Sequence, residues 1–316
     1  MDERVVPLNC WEWNGNGTDI TKRKKGVIMK TGLVDVGGGM RDIYGAGVLD
    51  CCLDQGIRFD CCIGVSAGSA NVTSFLAEQR GRNYRFYTEY AFRKEYMSFG
   101  NWLKNRSYIG LDYIYGTLSN SDGEYPLDYE RMAAGKEELW IVATNALTGK
   151  AHYFGKADFN QDCYDPVKAS SCVPMVNRPY FIDGIPYYDG GIVDPIPVEK
   201  CLEAGCDHVV LILTRPKEYR RTPDRDKMAV RSLKRKYPAA AKAMMQRAET
   251  YNRELEHAIE LERQGKVLIV APDDIGKMKT LTKDLETIKA LYYKGYEDGR
   301  RIMPYVRRSE GCAPGR

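Results

Sequence analysis

The sequence predicts an α/β protein, a three-layer α/β/α arrangement around a mostly parallel sheet, and two observations carry that prediction. Short apolar runs at 33–36, 60–63, 140–145, 209–213 and 266–270 alternate with longer segments of helical character. Two of the runs end in glycine-rich turns that lead straight into helical segments.

The 316 residues, 43% hydrophobic and 28% charged, suffice for one sizeable domain with a helical elaboration. The expected division is a poorly packed lead-in at 1–28, a main domain at 29–305 whose helical elaboration begins near 215, and a tail at 306–316. The lead-in lacks the apolar core of a secretory signal, and Met29 offers a second start. A net charge of +4 is too small to argue for a nucleic-acid partner, although it suits an anionic lipid surface. The ten cysteines show no paired Cys-x-x-Cys spacing of a metal site and several fall at core positions, which points to a reduced, cytoplasmic setting. No run of about 18 apolar residues is present, so no membrane-spanning helix is expected.

The first strand, 33–36, ends in Gly37-Gly38-Gly39-Met40-Arg41 and is followed by a helical run at 44–55. Consecutive glycines there can aim several N–H groups into one concavity, or can simply make a tight turn. Phosphate binding is disfavoured, since neither Gly-Lys-Ser/Thr nor the G-x-G-x-x-G spacing follows. The second strand leads into Gly64-Val65-Ser66-Ala67-Gly68 and a helix at 67–78. This spacing puts Ser66 on a sharp strand-to-helix turn, with glycines where a Cβ would collide and N–H groups of a helix start nearby. The segment 78–129 is rich in aromatic residues interleaved with Arg82, Arg85, Arg93, Lys94 and Lys104. It reads mainly as core, with a lid or acyl channel at a membrane surface as the second reading.

Beyond a strand at 140–145, Tyr187-Tyr188-Asp189-Gly190-Gly191 places a carboxylate before two glycines. Asp189 there is either a turn former or a base for Ser66, provided that burial raises its basicity. The strand at 209–213 is preceded by His208; one helical stretch is expected over 226–264, with Arg231 to Lys236 on a solvated face. A last helix over 283–301 carries Leu285, Ile288, Leu291 and Tyr292 at helical spacing, which predicts packing on the sheet.

Together these segments resemble the patatin-like phospholipase family, in its bacterial stand-alone branch. The order of the glycine loop with its arginine, the G-x-S-x-G turn and Asp189-Gly190-Gly191 is that of the family, and Ala169-Ser170-Ser171-Cys172-Val173-Pro174 is similar to a further family segment lining the site. The resemblance covers about 31–214. Two positions depart from the pattern: Asp42 where glycine is usual, and Cys172 where alanine is usual. Asp42 is expected to be neutralised by Arg41 or to face solvent.

The resemblance implies a patatin-like fold and a lipid acyl hydrolase with a Ser66–Asp189 dyad. It implies an oxyanion hole from Gly37, Gly38, Gly39 and Met40, with Arg41 steadying the loop or attracting a phosphate headgroup. No cofactor and no metal is called for, and no calcium loop is visible. The partner is then a lipid or acyl ester, with peripheral contact to a membrane surface as an option. Phospholipid, lysophospholipid, neutral glyceride and short soluble esters all suit the same pair, and the motifs do not specify an oligomeric state. Two alternatives stand beside it: a catalytically weak lipid-binding protein, and a Ser-Asp-His esterase using His208. His208 opens a strongly apolar run and reads as structural; His257 reads as solvent-facing and His152 as a strand residue.

Overall fold

The structure, a computed structural model, describes residues 29–309; the lead-in expected at 1–28 and the end of the tail lie outside the described residues. The strands are β1 (Thr31–Asp35), β2 (Cys61–Val65), β3 (Glu138–Asn145), β4 (Lys150–Gly155), β5 (Tyr180–Ile182), β6 (Ile185–Asp189), β7 (His208–Ile212) and β8 (Val267–Val270). The helices are α1 (Ile43–Asp54), α2 (Ala67–Leu76), α3 (Arg82–Thr88), α4 (Phe99–Asn105), α5 (Tyr129–Ala134), α6 (Asp165–Ser170), α7 (Val198–Glu203), α8 (Lys227–Leu233), α9 (Pro238–Arg263), α10 (Leu285–Gly299) and α11 (Ile302–Ser309).

The sheet runs β5-β6-β3-β2-β1-β7-β8, with β4 on the other edge of β3. The pairs β1–β2, β1–β7, β2–β3 and β7–β8 are parallel, whereas β3–β4, β3–β6 and β5–β6 are antiparallel. Successive strand residues feed two different cores, as a sheet buried on both faces requires. Leu33, Cys62, Val210 and Ile212 join the core under α1 and α2, while Val34, Ile63, Val209 and Leu211 join the core under α7 and α9. The three-layer α/β/α arrangement is therefore present. Because the chain leaves β1 toward β2 and later returns to β7 on its other side, the carboxyl end of β1 is a topological switch point, where open α/β sheets leave a crevice.

Two expected elements differ. The single stretch at 226–264 is two helices, α8 and α9, broken at Tyr237, whose φ of −134° is that of a residue ahead of a proline. The helix expected at 283–301 does not lie on the sheet. α10 packs on the outer side of α1, where Gly47 and Gly295 let the backbones touch; a Cβ on Gly47 would come within 2.9 Å of Tyr296 N. Helical spacing reveals a buried face but not what covers it. The final helix, α11, continues past position 305. Among the described residues, no helix is long and apolar enough to cross a membrane.

Candidate active site

Ser66 occupies the turn between β2 and α2 with φ 56° and ψ −128°, a conformation that costs a non-glycine residue about 1–3 kcal/mol. Close packing holds it there. A Cβ on Gly64 would lie 2.5 Å from Ser69 Cα, and one on Gly68 would lie 2.8 Å from Asp35 Oδ1, so both flanking glycines are required. The segment 169–174 clamps the turn from the other side: Ser66 N donates to Ser170 Oγ (2.8 Å), and Ser171 Oγ donates to Ser66 O (3.3 Å).

Asp189 reaches Ser66 through the register of β3. On one edge of β3, Val142 pairs with Val65, the last residue of β2, and the next residue, Ala143, pairs with Asp189, the last residue of β6. β4 takes the other edge over the same residues, so β2 and β6 meet head to head with their carboxyl ends in contact. The Ser66 hydroxyl consequently faces the Asp189 carboxylate, closely enough to favour its ionised form. Gly191 N also donates to Asp189 Oδ1 (2.8 Å), and the Asp189 backbone is tied to Cys172 O (2.9 Å) and Thr144 Oγ1 (2.8 Å). Burial pushes the Asp189 pKa up, against the opposing pull of Arg247, Ser66 and the Gly191 amide.

The loop after β1 carries positive φ at Gly37 (69°), Gly38 (145°) and Gly39 (62°). Its amides divide into two sets. Gly37 N donates to Asp35 Oδ1 (3.1 Å) and Met40 N to Thr280 O (2.9 Å), so these two are already committed, unlike the four-amide cradle expected from sequence. The Gly38 and Gly39 amides have no protein acceptor among the described residues, and neither does that of Ala67 at the start of α2, one of the helix-start N–H groups expected beside Ser66. Arg41 is buried; its Nη1 donates to Thr280 Oγ1 (2.7 Å) and its Nε finds no acceptor.

Asp42 neither pairs closely with Arg41 nor faces solvent. It is fully buried against Asp35, and no N–H reaches its carboxyl. Burial first, then the neighbouring Asp35, raises the Asp42 pKa well above its ordinary value, which favours the neutral acid beside Asp35. Gly45 makes room, since its Cβ would lie 2.6 Å from both carboxyls, and Asn71 Nδ2 donates to Asp35 Oδ2 (3.1 Å). The pair props the loop through the Gly37 amide.

Ser66, Asp189 and the glycine loop face a cavity of about 420 Å³ lined by Gly37 to Arg41, Ser66, Ala67 and Asp189. Tyr87, Tyr96, Met97, Ile109 and Leu111 supply an apolar wall; Arg215, Arg221, Arg225 and Arg247 face it. These four arginines were not anticipated, being isolated residues far along the chain. His208 is elsewhere: it opens β7 opposite Thr31, roughly 13 Å along the strand from Ile212, and contacts Tyr305 Oη (3.4 Å). The Ser-Asp-His alternative is thereby overturned. His257 pairs with Glu199 on the surface, and His152 packs between Phe154 and Tyr187 on β4. Cys61, Cys201 and Cys206 bring their thiols within 4.8 Å of one another at the amino ends of β2 and β7, away from the cavity.

The model of the patatin-like phospholipase family matches residues 34–202, just over half of the chain. The chain belongs to that family. A second model, a domain of unknown function (DUF6363), matches residues 237–309. An uncharacterized protein of Escherichia coli (strain K12), YjjU, is 29% identical over 233 residues, 72% of this chain; the chain spans 64% of that relative's length. The crystal structure of VipD from Legionella pneumophila is similar with a TM-score of 0.45 and 14% identity, over 87% of this chain and 67% of that one.

Proposed function

We propose that the protein is a serine acyl hydrolase that cleaves fatty acyl esters of lipids, with Ser66 as nucleophile and Asp189 as general base. The observation that carries this reading is the buried, basicity-raised Asp189 carboxylate facing a serine on a strained turn, inside one cavity with free loop amides. Family membership supports the class of substrate.

Ser66 Oγ attacks the ester carbonyl carbon while its proton passes to Asp189. The carbonyl oxygen becomes an oxyanion that accepts from the Gly38 and Gly39 amides, each donor contributing roughly 3 kcal/mol to the transition state. Collapse breaks the ester C–O bond, and the leaving alcohol takes the proton from Asp189. Water then attacks the acyl-serine, giving its proton to Asp189, and the fatty acid departs with Ser66 restored. Gly37 and Met40 act as supports, because their amides hold Asp35 and Thr280. α4 supplies the surface for a membrane: Phe99 and Leu103 are 65% and 61% exposed, next to Met97 of the apolar wall.

A fluorophosphonate probe tests the assignment. Labelling of the wild type that falls by roughly a thousandfold or more in Ser66→Ala and Asp189→Asn is the expected result. No labelling of a folded wild type, with lipid association intact, would leave only a binding role.

A further inference from the structure

The cavity has two unlike walls, and the basic one is poor in counter-charge. Five guanidinium groups line it, from Arg41, Arg215, Arg221, Arg225 and Arg247. Arg221 forms a two-point pair with Asp226 (Nε–Oδ2 3.0 Å, Nη2–Oδ1 2.6 Å), and Arg247 shares the same carboxylate at 3.8 Å. Arg247 also donates to Gly191 O. The remaining three, Arg41, Arg215 and Arg225, have no carboxylate within ion-pair distance among the described residues. Arg41 is buried with an unsatisfied Nε, and Arg215 lies 4.2 Å over the Tyr219 ring. Burial, followed by the charge of Arg215, pushes the Arg41 pKa down to about 10. Burial likewise lowers that of Arg215, with Arg225 and Arg221 adding repulsion. Like charges gathered on a half-dry wall with no internal partner are completed by an anion from outside.

Position defines which anion. Arg41 borders the oxyanion loop: a Cβ on Gly38 would lie 3.3 Å from Arg41 Nη2. An anion held by Arg41 thus sits beside the loop whose amides would meet the ester oxygen, in the same cavity whose apolar side chains suit an acyl chain. A headgroup ammonium would meet the arginines with no acceptor to spare, since Asp226 is already shared by two guanidiniums and Asp189 accepts from the Gly191 amide and faces Ser66. Arg215, Arg221 and Arg225 fall between the two matched stretches, whereas Arg41 and Arg247 lie within them.

We propose that Arg41, Arg215 and Arg225 receive the phosphate of a lipid headgroup that lacks an amine, making the site selective for anionic over zwitterionic glycerophospholipids. This rests on the hydrolase reading above. Hydrolysis of phosphatidic acid and phosphatidylglycerol is compared with that of phosphatidylcholine carrying the same acyl chains, all diluted in neutral detergent micelles so that surface charge stays low. The wild type should favour the anionic lipids in kcat/KM by at least about tenfold, the low end of what a charge-assisted hydrogen bond provides. Arg215→Met with Arg225→Ala should bring that ratio toward one through a higher KM for the anionic lipids, and Arg215→Lys should restore part of it. Equal turnover of all three lipids by the wild type, or an unchanged ratio in the double variant, would overturn the proposal.

Inorganic phosphate separates the two sources of the same chemistry. Inhibition at millimolar phosphate that is lost in the double variant, together with no headgroup preference, would assign the wall to a free anion and overturn the lipid assignment. Calorimetric binding of dihexanoyl phosphatidic acid and dihexanoyl phosphatidylcholine to Ser66→Ala protein reads the same preference without turnover. If no lipid is cleaved, a preference in that binding experiment upholds the wall while the hydrolase reading fails, and its absence sinks both.

Discussion

The two ends of the same strands are built on opposite terms. At the carboxyl ends of β1, β2 and β6 the chain accepts a strained serine, three consecutive glycines at positive φ, and buried Asp35, Asp42 and Asp189. At the amino ends of β1 and β2 it accepts neither strain nor isolated charge. Asp60 and Asp207 satisfy the Thr31 and Lys30 amides (2.7 and 2.9 Å), and between them Gly32 leaves room for a packet of thiols. Strain and desolvated acid persist only where the surroundings over-determine them, which is the mark of a working site and not of a packing device.

Matched glycine substitutions at the two ends should show the largest contrast. Gly68→Ala forces a Cβ into Asp35, and Gly32→Ala forces one into the Cys201 and Cys206 thiols, 3.0 Å from the latter. Each should cost roughly 1–3 kcal/mol of stability, read by denaturant unfolding. Only Gly68→Ala should also lower ester turnover per folded molecule, by about tenfold or more, because it moves the Ser66 turn. Equal turnover in both variants would remove the functional difference between the ends.

A smaller effect separates them by pH. Asp42 has a folded pKa above its unfolded value, so the folded state binds more protons and stability falls as pH rises from about 4 through the folded pKa. Asp42→Asn keeps a donor toward Asp35 and removes the titration. Its Tm should lie above that of the wild type at neutral pH and converge with it below about pH 4. A parallel pair of Tm–pH curves would show that Asp42 is not held neutral.

The smallest expected change is a shift in a pH–rate profile. Asp189 must be ionised to accept the Ser66 proton, so turnover of a soluble ester should fall on the acid side through the raised Asp189 pKa. Arg247 opposes that rise, and Arg247→Met should move the acid limb to higher pH. An unmoved limb would assign it to another group.

Sequence made the Ser66 turn legible because its determinants are local: two glycines, a strand before and a helix after. The glycine loop was legible for the same reason, although the division of its amides was not, since it depends on Thr280, some 240 residues away. The meeting of Ser66 and Asp189 follows from two strands sharing one edge of β3, a register that periodicity cannot reveal; the family resemblance supplied it. The Asp35–Asp42 pair escaped notice because a turn folds two residues seven apart onto one another. Pro238 and the glycines of α1 and α10 did carry their signals, of a helix break and of close helix contact, in the sequence itself.

β7 lies beyond the stretch matched as patatin-like, yet it is the strand that flanks β1 on the side away from β2. A fragment trimmed at residue 202 would leave β1 with a bare, adhesive margin and would discard most of the arginines. The helices of the DUF6363 stretch likewise straddle the sheet, α9 against one face and α10 over α1 on the other. Residues of both matched stretches thus meet in the same two cores, and a cut between them would open each to water.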